Sequence, residues 1–558
     1  MPSTISEKEA HADHGIDEKE HVPETVPENA KIVEVANTDL ALALSTGPQL
    51  SALSLRSIQL YLILLVAFMG SLANGFDGSV MSAVNGMQQY QDYFGITGGD
   101  AGGGVGSTTA IILKRDYMCV GSIVAVAMAG PLTDHFGRRG GMFIGSVIII
   151  IGSVAATTAK DISALLGGRF VLGLGVGIVQ TASPSYVVEM APPQWRGRLT
   201  GLFNTFYYAG SILCTGITIA TGRIESTRSW RGPLAIQIVA AGILAIFSLI
   251  LPESPRWLIS VGRKEEALAT LARYHGNDDP KSPLVLLEWR EFEESIKIDA
   301  SDKRWWDYSE LVNTPNARYR TFLMVLMAFF GQWSGNGLGY FLTILFAVSS
   351  VQCFTQNKRL TLNFVNTLVS AAGAVIGTTL TDKVGRRKMW FWGTLGSALT
   401  LMVVTGCTAK WGSAGSNPAG ANAAIAFICM LSSLTHTGTK FMHPFQSCSV
   451  LYTGFAKGMA MYALAVACAS FVNTYAGPIA LQRIGWKYYL VYIVWDLFEC
   501  VVIYFCVVET RGRTLEELNE IFEDPHPVRE SLHKRKVAVV DGNSGAVAIP
   551  VDEVGGSV

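Results

Sequence analysis

The sequence predicts an all-α polytopic membrane protein, with about twelve transmembrane helices in two related bundles of about six. Three observations carry this. Apolar runs recur, including 58–73, 141–159, 233–251, 319–348 and 488–508, and each suits a hydrocarbon core that takes roughly 20 helical residues to cross. Charge is sparse: 49% of the 558 residues are hydrophobic and 16% charged, with a mean hydropathy of +0.33. Finally, Asp134-His135-Phe136-Gly137-Arg138-Arg139 returns as Asp382-Lys383-Val384-Gly385-Arg386-Arg387, each time after the second apolar run of a block, so the chain reads as an internal duplication.

Residues 1–52 are polar and acidic and lack a cleavable signal segment, so they are expected to form an unstructured tail; residues 509–558 form a second tail, expected to be unstructured beyond about 525. The first bundle occupies 53–251 and the second 320–508. Between them, 252–319 is charged, yet Ala267, Leu271 and Tyr274, and then Val285, Trp289, Phe292 and Ile296, recur at helical spacing. Short amphipathic helices at the membrane face are expected there.

Orientation follows from the basic residues. Arg138, Arg139, Arg196, Arg198, the linker's Lys and Arg, Lys383 and Arg386 to Lys388 fall on one side, whereas 85–106 carries no Lys or Arg. That side, with both termini, is expected to be cytosolic in a multi-pass protein of the cell membrane.

A net charge of -1 argues against a nucleic-acid partner, and the apolar runs make the lipid bilayer the expected surroundings. The nine cysteines, among them Cys119, Cys214, Cys429 and Cys468, have no metal-ligand spacing and read as packing residues. Without a nucleophile-base arrangement, a His/Cys metal set or a phosphate loop, no enzyme, metal or cofactor is expected. The glycines of 98–106 lack the Lys-Ser/Thr of a phosphate loop and read as an external linker.

Further motifs follow in order: Gly75-Phe76-Asp77-Gly78, Gly168-Arg169, Pro184-Ser185-Tyr186-Val187-Val188-Glu189 running to Arg196-Gly197, Pro252-Glu253-Ser254-Pro255-Arg256-Trp257, Gly331-Gln332-Trp333-Ser334-Gly335-Asn336-Gly337 and Glu509-Thr510-Arg511-Gly512-Arg513. With these the chain resembles the sugar porter family of the major facilitator superfamily, and within it fungal lactose-permease-like, sugar/proton symporter-like carriers. The resemblance spans roughly residues 56–523. It implies a secondary active transporter that moves a disaccharide or hexose by alternating access, coupled to protons and able to work as a monomer. A carrier for a specialised metabolite and a non-transporting sugar sensor are the rival readings.

Asp77 lies in an apolar span, where an ionised carboxylate faces a cavity or a partner, and Arg169 is the partner within the same bundle. The resemblance implies that this pair couples protons; a permanent structural salt bridge is the alternative. It also implies that Asp134, Arg138, Glu189, Arg196, Glu253, Asp382, Arg386 and Glu509 form the cytosolic gate, although basic residues mark that side whether or not they pair. Neutral polar residues in the spans suit a hydroxyl-rich ligand. By the resemblance Asn204, Gln332 and Asn336 are substrate-binding candidates, with Asn366, Asn473 and the ring of Tyr340 beside them; helix-to-helix hydrogen bonding is their alternative role.

Two segments depart from the family pattern. Lys114-Arg115-Asp116 interrupts helix 2, so the helix is expected to start beyond the triplet or to keep it at the outer interface. Between helices 10 and 11, 444–458 is short, the counterparts of Glu189 and Arg196 are missing, and Lys440 and His443 stand in helix 10. A weakened gate in the second half is the expectation.

Overall fold

The computed structural model describes residues 31–34, 51–95, 120–299, 309–334, 355–411, 426–430, 484–510 and parts of 458–480 and 521–550. The Lys114 triplet, Asn336, Tyr340 and the 431–457 segment with Lys440 and His443 lie outside the described residues.

Helix starts follow local chemistry. α1 (Leu55–Val84) begins after Ser54, whose hydroxyl accepts the Ser57 N–H at 3.1 Å, supplying one of the acceptors that a helix start leaves wanting. After the short α2 (Gln88–Phe94), α3 (Val120–Thr158) is broken at Gly137, whose φ of +81° turns the chain into two arms, 120–136 and 138–158. α4 (Ile162–Met190), α5 (Pro193–Thr221) and α6 (Arg228–Ser248) complete the first bundle. Pro193 opens α5, where its missing N–H costs nothing.

Three helices occupy the linker: α7 (Pro255–Ser260), α8 (Lys264–His275) and α9 (Pro283–Asp299). Ala267 and Leu271 are fully buried and Tyr274 joins the core of the first bundle, while Trp289 and Phe292 cover Leu258, Ile259 and Ala267. The described part of the second bundle includes α10 (Pro315–Trp333), α11 (Gln356–Val384), α12 (Arg386–Trp411) and α13 (Tyr488–Cys506), followed by the one-turn α14 (Pro527–Glu530).

Seven helices among the described residues are long and apolar enough to cross a membrane. Their outward faces carry large apolar side chains, with Ile246 65%, Val494 68% and Phe505 68% exposed, a distribution that only a hydrocarbon solvent makes favourable. Inward, Leu60, Leu64, Phe68, Ile149, Leu172 and Tyr186 form one core. Leu323, Phe330, Trp390, Ile503 and Val508 form the other.

α1 packs along α5, and α3 borders α4. The halves meet where α5 lies on α11. There the Gln356 amide accepts the Gln88 N–H at 3.0 Å and donates to Gln89 at 3.2 Å and to the Gly222 carbonyl at 3.0 Å, and Leu360 is buried in the first half's core.

In the tails, β1 (Lys31–Glu34), β2 (Lys536–Gly542) and β3 (Gly545–Pro550) pair as one antiparallel sheet, with Ile32 opposite Ala538 and Val540 opposite Val547. Sequence polarity predicts disorder in both tails; the paired segments are local runs of Val, Ile and Ala, which suit a pleated surface.

Candidate functional site

The first polar centre lies within the first bundle. α1 supplies Asp77 and α4 supplies Arg169, and the guanidinium Nη1 donates to Asp77 Oδ1 at 2.5 Å. Their side chains are 15% and 11% exposed, so the pair is largely but not fully enclosed by the bundle. Sequence reasoning missed a third member. Gln237 of α6, only 1% exposed, donates from Nε2 to the same Oδ1 at 2.9 Å. Arg169 Nε and Gln237 Oε1 have no partner among the described residues, so this centre retains unused donor and acceptor capacity next to an ionisable group.

The second centre sits at the Arg-rich end and is built twice. In the first half Gly137 turns between the arms of α3, and the Glu253 carboxylate receives the Arg138 N–H at 3.0 Å and the Arg139 N–H at 3.3 Å. In the second half Gly385, at φ +98°, turns from α11 into α12, and the Glu509 carboxylate receives the N–H groups of Arg386 at 3.0 Å and Arg387 at 3.2 Å. Each carboxylate thus caps the first turn of a helix, satisfying donors that a helix start leaves open. A Cβ on Gly137 would lie 2.5 Å from Glu253 Oε2, and one on Gly385 2.7 Å from Glu509 Oε2. Gly137→Ala and Gly385→Ala are each expected to cost about 1–3 kcal/mol, the scale of backbone held in a disfavoured region. Thermal unfolding of purified variants checks this, with Gly242→Ala as the control, since nothing lies within 4 Å of its Cβ.

Described partners of the arginine side chain are found in both copies. Arg138 reaches Glu189 of α4 through Nε and Nη2, both at 3.1 Å, and Asp134 through Nη1 at 3.0 Å, while Ser254 Oγ donates to Glu189 at 2.5 Å. Arg386 donates to Thr510 Oγ1 at 2.9 Å, and Thr510 holds the place that Ser254 has after Glu253. Burial pushes the Glu253 carboxyl up from its ordinary value, opposed by the three N–H groups it accepts and by the Arg139 charge.

The other site candidates are placed as follows. Arg196 donates to Glu288 of the linker at 3.3 Å, not to Glu189; Glu288 is fully buried and also meets His275, which reaches the Met190 carbonyl at 3.1 Å. With Arg56 on Asp278 at 2.7 Å, these contacts fasten the linker to the first bundle. Asn204 of α5 is half-buried, as is Gln332 of α10. Asn366 of α11 is buried and its Oδ1 has no partner among the described residues. Asn473 is committed elsewhere: it donates to the Gln332 carbonyl at 2.9 Å and accepts the Tyr492 hydroxyl at 2.7 Å, so it fastens helices together. Asn363, Thr367 and Ser370 are buried beside Asn366; their i, i+4, i+7 spacing on α11 was a readable signal. The Asp382 side chain lies outside the described residues.

Among the described residues no cluster of His, Cys, Asp and Glu is placed to hold a metal. The arrangement offers ion pairs, helix joints and neutral hydrogen-bonding groups within a membrane bundle. A family model described as "Sugar (and other) transporter" matches residues 63–522.

The chain belongs to that family.

This transporter is 27% identical over 491 residues to the high-affinity glucose transporter of Kluyveromyces lactis, covering 84% of this chain and 86% of the relative. It is 27% identical over 508 residues to a probable quinate permease of Aspergillus fumigatus, covering 83% of this chain and 88% of the relative. Among solved structures it matches the proton:xylose symporter XylE bound to 6-bromo-6-deoxy-D-glucose, with a TM-score of 0.69 and 21% identity, covering 84% of this chain and 100% of that one. Its fold is therefore the two-bundle fold of the major facilitator superfamily, and it is a multi-pass membrane transporter, not an enzyme.

Proposed function

We propose that this transporter is a proton-coupled sugar carrier of the cell membrane, alternating access by rocking 53–251 against 320–508, with both termini and the Arg-rich end in the cytosol. The observation that carries the coupling is the half-buried Asp77–Arg169 pair with Gln237 on the same oxygen. A proton arriving at Asp77 neutralises the carboxylate, frees Arg169 from the pair and changes how α1 and α4 hold each other. The hydroxyl-rich cargo would meet Asn204, Gln332, Asn336, Tyr340 and Asn366 near the seam between the halves. At the cytosolic end Asp134, Arg138, Glu189, Arg196, Glu253, Asp382, Arg386 and Glu509 would serve as the gate, each half keeping its loop arginines engaged while the halves rock. One chain supplies the whole pathway, so a monomer suffices.

A second reading keeps the mechanism and changes the cargo, favoured by the similarity to a probable quinate permease. Quinate is also a hydroxylated ring, so the same neutral groups suit it. The deciding experiment is uptake of labelled glucose, xylose, lactose, cellobiose and quinate by yeast lacking its own sugar carriers, with surface expression confirmed. Saturable sugar uptake is expected, with KM raised about tenfold by Asn366→Ala, the scale of one lost hydrogen bond of about 1–1.5 kcal/mol. Uptake of quinate alone would select the second reading, and uptake of none of these would remove both.

A further inference from the structure

α13 carries two carboxylates that the transport reading does not use. Its outward face is apolar and lipid-facing, with Val494, Phe498, Val501 and Phe505 all at least half exposed. Its inward face presents Tyr489, Tyr492, Asp496, Glu499, Cys500 and Ile503. Asp496 and Glu499, three residues apart on that face, are both 0% exposed.

Their surroundings differ in an informative way. Both oxygens of Asp496 are buried without any hydrogen-bond donor among the described residues. An ionised carboxylate so placed, beside a second carboxylate and with no countercharge among the described residues, is the most costly form available, and a carboxylic acid the least. Glu499 is well supplied: Trp390 Nε1 of α12 donates at 3.1 Å, Thr394 Oγ1 lies at 3.4 Å, and the Ser334 hydroxyl at the end of α10 touches the other oxygen. That same hydroxyl also lies 2.7 Å from the Phe330 carbonyl. A hydroxyl has one proton and cannot donate both ways. With Glu499 ionised, Ser334 donates to it and releases Phe330; with Glu499 protonated, the acid donates to Ser334, which is then free to donate to Phe330. The local bonding is complete in either state and differs by one proton.

Among the described residues no cation answers these groups: Lys487 stands in the turn just before α13. Arg318 and Arg320 stand at the start of α10, where Arg320 lies over Phe522. On α12, Arg386 is turned to Thr510 and Arg387 to the Tyr504 carbonyl, Lys388 is exposed, and Lys410 stands at the far end. The titratable neighbours on α13 are Tyr492 and Cys500. Of these, the Tyr492 hydroxyl is bound to Asn473.

We propose that Asp496 and Glu499 form a second proton-binding site, in the C-terminal half, whose occupancy sets the hydrogen bond between Ser334 and Phe330 at the end of α10. The inference does not depend on what the transporter carries, nor on Asp77.

The test is pH-difference infrared spectroscopy of the purified full-length protein in liposomes, reading the carbonyl stretch of protonated carboxyl groups. A buried carboxyl band that declines as pH rises is expected. Asp496→Asn and Glu499→Gln should each remove one carboxyl's intensity, and Asp77→Asn should leave both components. Ser334→Ala retains both acids and should shift the frequency of the Glu499 component alone, so the result stands even if a carboxyl variant misfolds. A band unchanged in Asp496→Asn, Glu499→Gln and Ser334→Ala alike, or one constant over the whole pH range in which the protein stays folded, overturns the proposal. So does a band abolished by sodium at fixed pH, which would mark a metal-cation site. None of these readings uses transport, so failure here and failure of the sugar assay are separable.

Discussion

Asp77→Asn is expected to abolish proton-driven accumulation while leaving exchange of cargo across the membrane intact. Asn is close to the neutral acid in shape and cannot form the charged pair with Arg169, so the carrier is fixed in the form that a bound proton would produce. The size of the effect follows from the driving force. Moving one charge through 100 mV is worth about 2.3 kcal/mol, and about 1.4 kcal/mol corresponds to a factor of ten. One coupled proton therefore sustains an inside-to-outside ratio of roughly fifty at that potential, before any pH gradient is added. The variant should bring that ratio to about one. Proteoliposomes with an imposed potential give the ratio, and preloaded vesicles give the exchange. An Asp77→Asn protein that still accumulates cargo would falsify the coupling role and leave the pair as a structural salt bridge.

The largest stability effect should come from Arg138. Glu189 is 4% exposed, and without the guanidinium its remaining described partner is the Ser254 hydroxyl. Removing one member of a buried ion pair typically costs about 3–5 kcal/mol, because the other charge stays buried alone. Arg138→Ala should lose that much, whereas the double variant Arg138→Met/Glu189→Leu should recover most of it, since no buried charge is then stranded. Thermal unfolding of the single and double variants in one detergent supplies the cycle. A double variant no better than Arg138→Ala would place the loss in packing or in the Asp134 contact.

Much of this architecture is legible in the sequence because lipid permits so little. A carboxylate inside an apolar run needs a partner, which singles out Asp77 and Arg169, and a motif repeated after the second run of each block exposes the duplication. What the repeat does not reveal is how Glu253 and Glu509 act. Read as gate charges, they lie against backbone N–H groups of the next helix start, a role that depends on the turn at Gly137 and Gly385 and not on side-chain complementarity. Gln237 is silent in one dimension: a single neutral amide within an apolar helix has many possible partners, and only the packing of α6 against α1 selects Asp77. Glu288 reads as a solvated linker charge, and its burial arises from α9 folding under Arg196 and His275. Asp496 and Glu499 are a different case. Two acids three residues apart inside the run 488–508 are visible by eye, and the apolar average of that run conceals them.

The linker contacts also bear on how the chain is made. The partners of Asp77, Arg138 and Glu189, and the Arg196–Glu288–His275 cluster, lie between residues 55 and 299. Synthesis runs from the N-terminus, and domains generally fold as units in that order. The first half can therefore complete these contacts before α10 leaves the ribosome. The nascent second half would then meet a finished surface at α5, onto which α11 packs.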